Sequence, residues 1–352
     1  MSSVSSATLP ALPTELLTQI FTLSTALDSG KTLRSLLHVS RRFYNICAPL
    51  KFHCVTLTTS LGVTRFYQEL ERCADAPTHL RRILHLYISL SLSNVHADAE
   101  RDIITQLFCI IQTAAETLQT LTLTYHNTLF STSVFGRLFR QSFPVLVELT
   151  IHGFYPFPSP MSPNELPAPT PSSDFLPKAG SSFMPMLERL HLGGNRNPYG
   201  LLQLSSLDKC FPRLTHLAVS GLLMAASFVE EIKSALDEHL ARRLGPKDTS
   251  CTNGSIALGG TLARLPSGLQ SLVLQPGFMP LVGLRPGITD SAEKKDSRMM
   301  AGLKEVEEAE KRGRGVVRVM LKDRMQTSDQ VSINSGLYSD WLDRMNGARG
   351  YW

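Results

Sequence analysis

Apolar residues recur along most of the chain in short bursts. Five share one pattern: Leu118-x-x-Leu121-x-Leu123, Leu146-x-x-Leu149-x-Ile151, Leu187-x-x-Leu190-x-Leu192, Leu214-x-x-Leu217-x-Val219 and Leu269-x-x-Leu272-x-Leu274. Ile83 to Leu90, where Leu84, Leu86, Ile88 and Leu90 alternate, is an earlier copy. Alternation at period two sends successive side chains to opposite faces, the mark of a strand. Between their first leucines the five bursts are 28, 41, 27 and 55 residues apart. Steps of 27 and 28 fit a single repeating unit, 41 fits a unit plus an insertion, and 55 fits about two units. Helical spacing appears in between. Asp98 to Leu118 sets Ile103, Ile104, Leu107, Phe108 and Ile111 on one side, and Ser227 to Leu244 does the same with Val229, Ile232, Leu236, His239 and Leu240. Phe143-Pro144 and Phe211-Pro212 precede two of the strands, where a fixed backbone turn ends the helical side. Strand and helix alternating at one length predict an α/β fold of parallel strands stacked in a curved solenoid. A compact α/β domain with coincidental leucine spacing is the alternative.

The first fifty-odd residues read differently. Leu12-Pro13-Thr14-Glu15 opens a helix, because proline suits a first turn and an early glutamate suits the positive end. Leu16, Leu17, Ile20, Phe21 and Leu23 then make a broad apolar stripe, which Asp28-Ser29-Gly30 ends. Leu33, Leu36, Leu37 and Val39 predict a second short helix. Ser40 is placed to cap a third, which carries Phe43, Tyr44 and Ile46 and closes at Pro49. Three helices this short bury little on their own, so the unit must dock on its own chain or on a partner.

Leu12-Pro13-x-Glu15-Leu16-Leu17-x-x-Ile20-Phe21, followed by Leu36-Leu37-His38-Val39-Ser40-Arg41-Arg42-Phe43-Tyr44, resembles the F-box, with Phe43 where many members carry tryptophan. The resemblance covers about forty-five residues. Pro49 to Leu57 is similar to the passage from F-box into first strand in fungal F-box/repeat proteins, and the leucine bursts resemble the irregular leucine-rich repeats of such proteins. The asparagine that usually follows the strand is clear only in Leu192-Gly193-Gly194-Asn195. The resemblance implies an F-box-like module over 9–57 and a degenerate leucine-rich-repeat-like domain over 58–352. It further implies a substrate-recognition subunit that docks the Skp adaptor, and through it cullin, while the solenoid holds a protein client. Leu12, Pro13, Glu15, Leu16, Leu17, Ile20, Phe21, Leu36, Val39, Ser40 and Phe43 would form or support the adaptor-binding surface. The alternatives are a scaffold not coupled to ubiquitin transfer and a helical cap that merely shields the end of the array.

Three stretches stand outside the repeat. Residues 155–180 are rich in proline and serine, 245–260 are polar with glycine, and 286–315 form a mixed-charge run in which Leu303 to Lys311 can be helical but little can bury; all three read as flexible insertions. After them, Gly315 to Leu321 predicts a strand and Tyr338 to Met345 a short helix with Trp341 and Leu342 inward, together a closing cap.

Composition adds limits. A net charge of +5, from 35 basic and 30 acidic residues, has no basic cluster beyond Lys311-Arg312-Gly313-Arg314, so nucleic acid is not expected as a partner. Six cysteines without a Cys-x-x-Cys pair point to a reducing compartment and no zinc ribbon. The N-terminal residues lack a secretory pattern, and no uncharged apolar run reaches the roughly 18 residues of a membrane helix. An intracellular protein, cytoplasmic or nuclear, with no membrane partner is expected. No phosphate-binding glycine loop, nucleophile elbow or His-Glu-x-x-His motif is present. The reading is therefore non-enzymatic, with no cofactor. Alternation within the strands aims Thr120, Thr122 and Thr124, then Glu148, Thr150 and His152, then Arg189, His191 and His216 at the concave face. Three histidines on neighbouring strands raise the question of a metal, but the expected role is a solvated surface that recognises a client, with no metal.

Overall fold

The computed structural model describes residues 12–27, 30–91, 96–127, 130–158, 182–244, 262–279, 288–314, 317–345 and 347. Three helices come first: α1 (Thr14–Leu27), α2 (Lys31–Leu36) and α3 (Arg41–Cys47), then a 3-10 turn over Ala48–Leu50. The Pro13 carbonyl accepts from the Leu17 amide at 3.1 Å, so the first turn starts at the proline. Ser40, in extended conformation, caps α3 by accepting from the Phe43 amide at 3.2 Å. Leu17, Phe21, Leu33, Ile46, Cys47 and Leu50 make a small separate core. Phe43 packs edge-on to Phe21 at 5.1 Å between ring centroids.

Eight strands follow in a single parallel sheet whose spatial order is the chain order. They are β1 (Cys54–Leu57), β2 (His85–Leu90), β3 (Thr120–Tyr125), β4 (Glu148–His152), β5 (Arg189–Gly193), β6 (His216–Leu222), β7 (Ser271–Pro276) and β8 (Arg318–Leu321). The connections carry α4 (Ser60–Arg72), α5 (Ala97–Ala114), α6 (Ser131–Phe139), the single-turn helices α7 (Leu201–Leu204) and α8 (Leu207–Cys210), α9 (Ala226–Leu244) and α10 (Ile288–Ala309). A last helix, α11 (Gln330–Met345), comes after β8. Among the described residues, no helix is long and apolar enough to cross a membrane.

Register aligns the leucines. Val55, Leu86, Leu121, Leu149, Leu190, Leu217, Leu272 and Val319 stand in one row across the sheet. Leu57, Ile88, Leu123, Ile151, Leu192, Val219, Leu274 and Leu321 stand in the next. These rows join Val63 of α4, Leu107 and Phe108 of α5, Phe135 of α6, Ile232 of α9 and Leu303 of α10 in one continuous core. Each fully buried leucine or isoleucine contributes about 1.5–3 kcal/mol of hydrophobic free energy, so the rows fix which face meets the helices.

Two expectations change. The step of 55 residues is one enlarged unit, not two, because β6 pairs directly with β7. The mixed-charge run at 286–315 holds α10, a 22-residue helix. Met299, Leu303 and Val306 are buried, and Lys233 of α9 bridges to Glu305 at 2.7 Å. A stripe that narrow leaves the composition of the whole segment polar, so the sequence shows at most a helix over Leu303 to Lys311, whereas α10 begins at Ile288. Most of the proline-rich insertion and all of 245–260 lie outside the described residues. Before them, Tyr155 is buried in the main core.

Glycines stack at the strand ends. Gly194 has φ of +100°, and a Cβ there would sit 2.6 Å from the Gly153 backbone nitrogen. Beside it, the Asn195 side-chain amide donates to the Tyr155 carbonyl at 3.1 Å, satisfying a turn oxygen. Gly194→Ala meets rigid backbone in a conformation that disfavours side chains. It should lower unfolding free energy by about 2 kcal/mol or more, read as a shifted urea midpoint with unchanged slope.

Candidate protein-interaction surfaces

In the helical module, α1 buries one side and leaves another in water. Leu17 and Phe21 face the small core, while Leu12, Leu16, Ile20 and Leu23 are exposed, Leu23 at 68%. Spacing of four and three residues puts Leu16, Ile20 and Leu23 on one side of α1, with Leu12 just before its first turn. Val39 and Tyr44 are exposed as well. Arg42 donates to the Leu12 carbonyl, which fixes the start of α3 beside the start of this stripe. Pro13, Glu15 and Ser40 are also exposed, and Leu36 and Phe43 are half-buried. The predicted adaptor set thus divides. Leu17 and Phe21 belong to the interior and hold the stripe in place. Leu23 and Tyr44 extend the exposed apolar set, and helical spacing from Ile20 already pointed to Leu23.

The second surface is the sheet face opposite the aliphatic rows. Thr122, Glu148, Thr150, His152, Arg189, His191 and His216 all stand on it, as alternation requires. It is not open. Thr122, Thr150, Glu148, His152 and His191 are buried, while Arg189 and His216 are half-buried. The expectation of a solvated client surface over the buried five is overturned by α11, which lies across the face and does not close the end of the array.

Trp341 and Leu337 of α11 are buried with Cys54 and Tyr87. The Trp341 and Tyr87 rings lie 5.6 Å apart, and Tyr338 meets Tyr87 edge-on at 5.1 Å. The Tyr87 hydroxyl donates to the Asn334 carbonyl at 2.8 Å, and the Asn334 side chain meets His126 Nε2 at 3.1 Å. Arg344 forms an ion pair with Glu148, both side chains being 6% exposed. Arg189 approaches the same carboxylate at 3.7 Å. Burial pushes the Glu148 carboxyl above its ordinary value, and the two guanidiniums oppose that. Losing one partner of such a pair strands a buried charge, at about 3–5 kcal/mol. No local pattern in the sequence announces this contact. The spacing Leu337, Trp341, Arg344 indicates a helix face and says nothing of where it docks.

Between α11, residues 322–327 and the ends of β4 to β7 lies a cavity of about 290 Å³. His152 and His191 form part of its lining, with Lys322 and Asp340 on the wall. His191 Nε2 meets Ser220 Oγ at 2.9 Å. Among the described residues, no group of three metal-ligating side chains is gathered. Comparison with protein-family models, with curated proteins and with solved structures finds no match for this chain.

Burial governs the histidines on this face. It lowers His152 to about 3 and His85 to about 4, with His126 and His53 respectively adding repulsion, and it takes His191 well below its ordinary value. Each is neutral when folded and takes up a proton on unfolding below pH 6.5. Their share of stability is therefore complete above 6.5 and lost as the pH falls toward 4 and then 3, at up to about 1.4 kcal/mol per pH unit for each group. Urea unfolding between pH 7 and 4.5 should accordingly be shallower in pH for His152→Gln than for the parent. Parallel curves would mean that His152 is not held neutral.

Proposed function

We propose that this chain is the substrate-recognition subunit of a Skp–cullin–F-box ubiquitin ligase. It works by proximity: the N-terminal module docks the Skp adaptor, and the array behind it holds a protein client near the ubiquitin-transferring enzyme, raising its effective concentration. The observation that carries this reading is the apolar stripe Leu12, Leu16, Ile20 and Leu23, left in water by a module whose core holds six buried residues among those described. A surface that apolar, on a unit that small, calls for a partner. Three of its residues, Leu12, Leu16 and Ile20, are among those in which the sequence resembles the F-box. The parallel array supports the second half, since strand–helix units in register, each against its neighbour, are the build of a leucine-rich-repeat solenoid.

The test is binding of purified Skp adaptor to the full chain and to Leu16→Asp. Leu16 is 46% exposed and outside the small core, so the variant should fold with the parent's thermal midpoint. A carboxylate in a desolvated apolar interface should cost about 2 kcal/mol or more, roughly thirty-fold in affinity. An adaptor that ignores the parent chain would remove this reading.

A further inference from the structure

On the helix side of the sheet, burial is mainly apolar. Under α11 it is not. Thr124, Thr150 and His152 are buried there, and Thr124 Oγ1, Thr150 Oγ1 and His152 Nδ1 find no hydrogen-bond partner among the described residues. On α11, Trp341 Nε1 is buried in the same condition. A polar atom taken from water without a partner disfavours the closed arrangement, and rehydration favours parting the two surfaces. The apolar hold of α11 is also small. It fully buries Leu337 and Trp341, with Ile333, Tyr338, Leu342 and Met345 only partly covered, whereas α5, of similar length, buries six apolar residues. The covered face therefore keeps the chemistry of a surface built to meet water or an exchangeable partner.

We propose that α11 is an internal stand-in for a partner helix, and that the polar face over β2 to β5 docks an amphipathic helix of another protein. That helix presents an aromatic residue and, three positions on, a basic one, as Trp341 and Arg344 do. Each main contact can be made by an incoming helix in the same place. The aromatic ring packs against Tyr87, a main-chain carbonyl two turns earlier accepts from the Tyr87 hydroxyl, and the basic group reaches Glu148. None of these contacts requires the covalent link from β8. Docking of a helix at this face does not depend on the receptor reading.

Two measurements on the full chain test it. Hydrogen exchange should find the α11 amides opening together, about a hundredfold faster than those of β3 to β5. A labelled synthetic peptide of the sequence Gln330–Met345 is the binding probe. Because the tethered helix competes for the site, the peptide should bind Trp341→Ala about tenfold more tightly than the parent chain. The same peptide carrying Arg344→Glu should not bind. Exchange of α11 in step with β3 to β5 overturns the proposal, and so does a folded Trp341→Ala chain that ignores the peptide. If that variant fails to fold, exchange in the parent decides alone. Skp adaptor binding measured on the same samples keeps the two readings apart, since its loss bears on the receptor and not on the docking face.

Discussion

The packing of the in-register aliphatic rows against the helices is the interaction on which the rest of the structure depends. A row such as Leu121, Leu149, Leu190 and Leu217 forms only if every strand is parallel and offset by none of its neighbours. Slipping one strand by one residue would bring Glu148, Thr150 and His152 to the helix side and send Leu149 and Ile151 out. The same alternation that commits the leucines to the core thereby gathers the threonines, histidines and Glu148 on the opposite face. One constraint produces both surfaces.

That constraint was legible because it is local. Leu-x-x-Leu-x-Leu places a strand and its inward side within six residues, and β3 to β7 lie where the bursts are. The cap of α3 was legible for the same reason: Ser40 and the Phe43 amide are neighbours in the chain. What escaped was the outcome of distant pairing. Tyr87 meets Asn334, and Glu148 meets Arg344, across most of the chain. Neither residue of either pair carries a local mark of its partner. The polar face was read correctly as a face, yet its exposure depended on α11, which sequence proximity placed at the end of the array. The α10 segment failed in another way, because Met299, Leu303 and Val306, the buried apolar side chains among its described residues, do not outweigh its charge.

In the helical module the division between inside and outside follows from size. A core built on Leu17, Phe21, Leu33 and Ile46 uses one side of α1, and among the described residues no second layer covers Leu12, Leu16, Ile20 and Leu23. A sequence pattern marks all of these as apolar without saying which are surplus. Geometry sorts them, and the surplus is the candidate contact surface.

The way α11 folds back has a mechanical side. In an array whose strands touch only their immediate neighbours, units can peel away one at a time from either end. Here the segment after β8 is fastened to β4 in the middle of the sheet and to β2 near its other end. A force applied beyond α11 is therefore borne first by Trp341 and the Glu148–Arg344 pair, and β8 begins to strip only once that clasp has opened. The chain resists unravelling as a buckled strap does, giving way in two stages with the weaker fastening first.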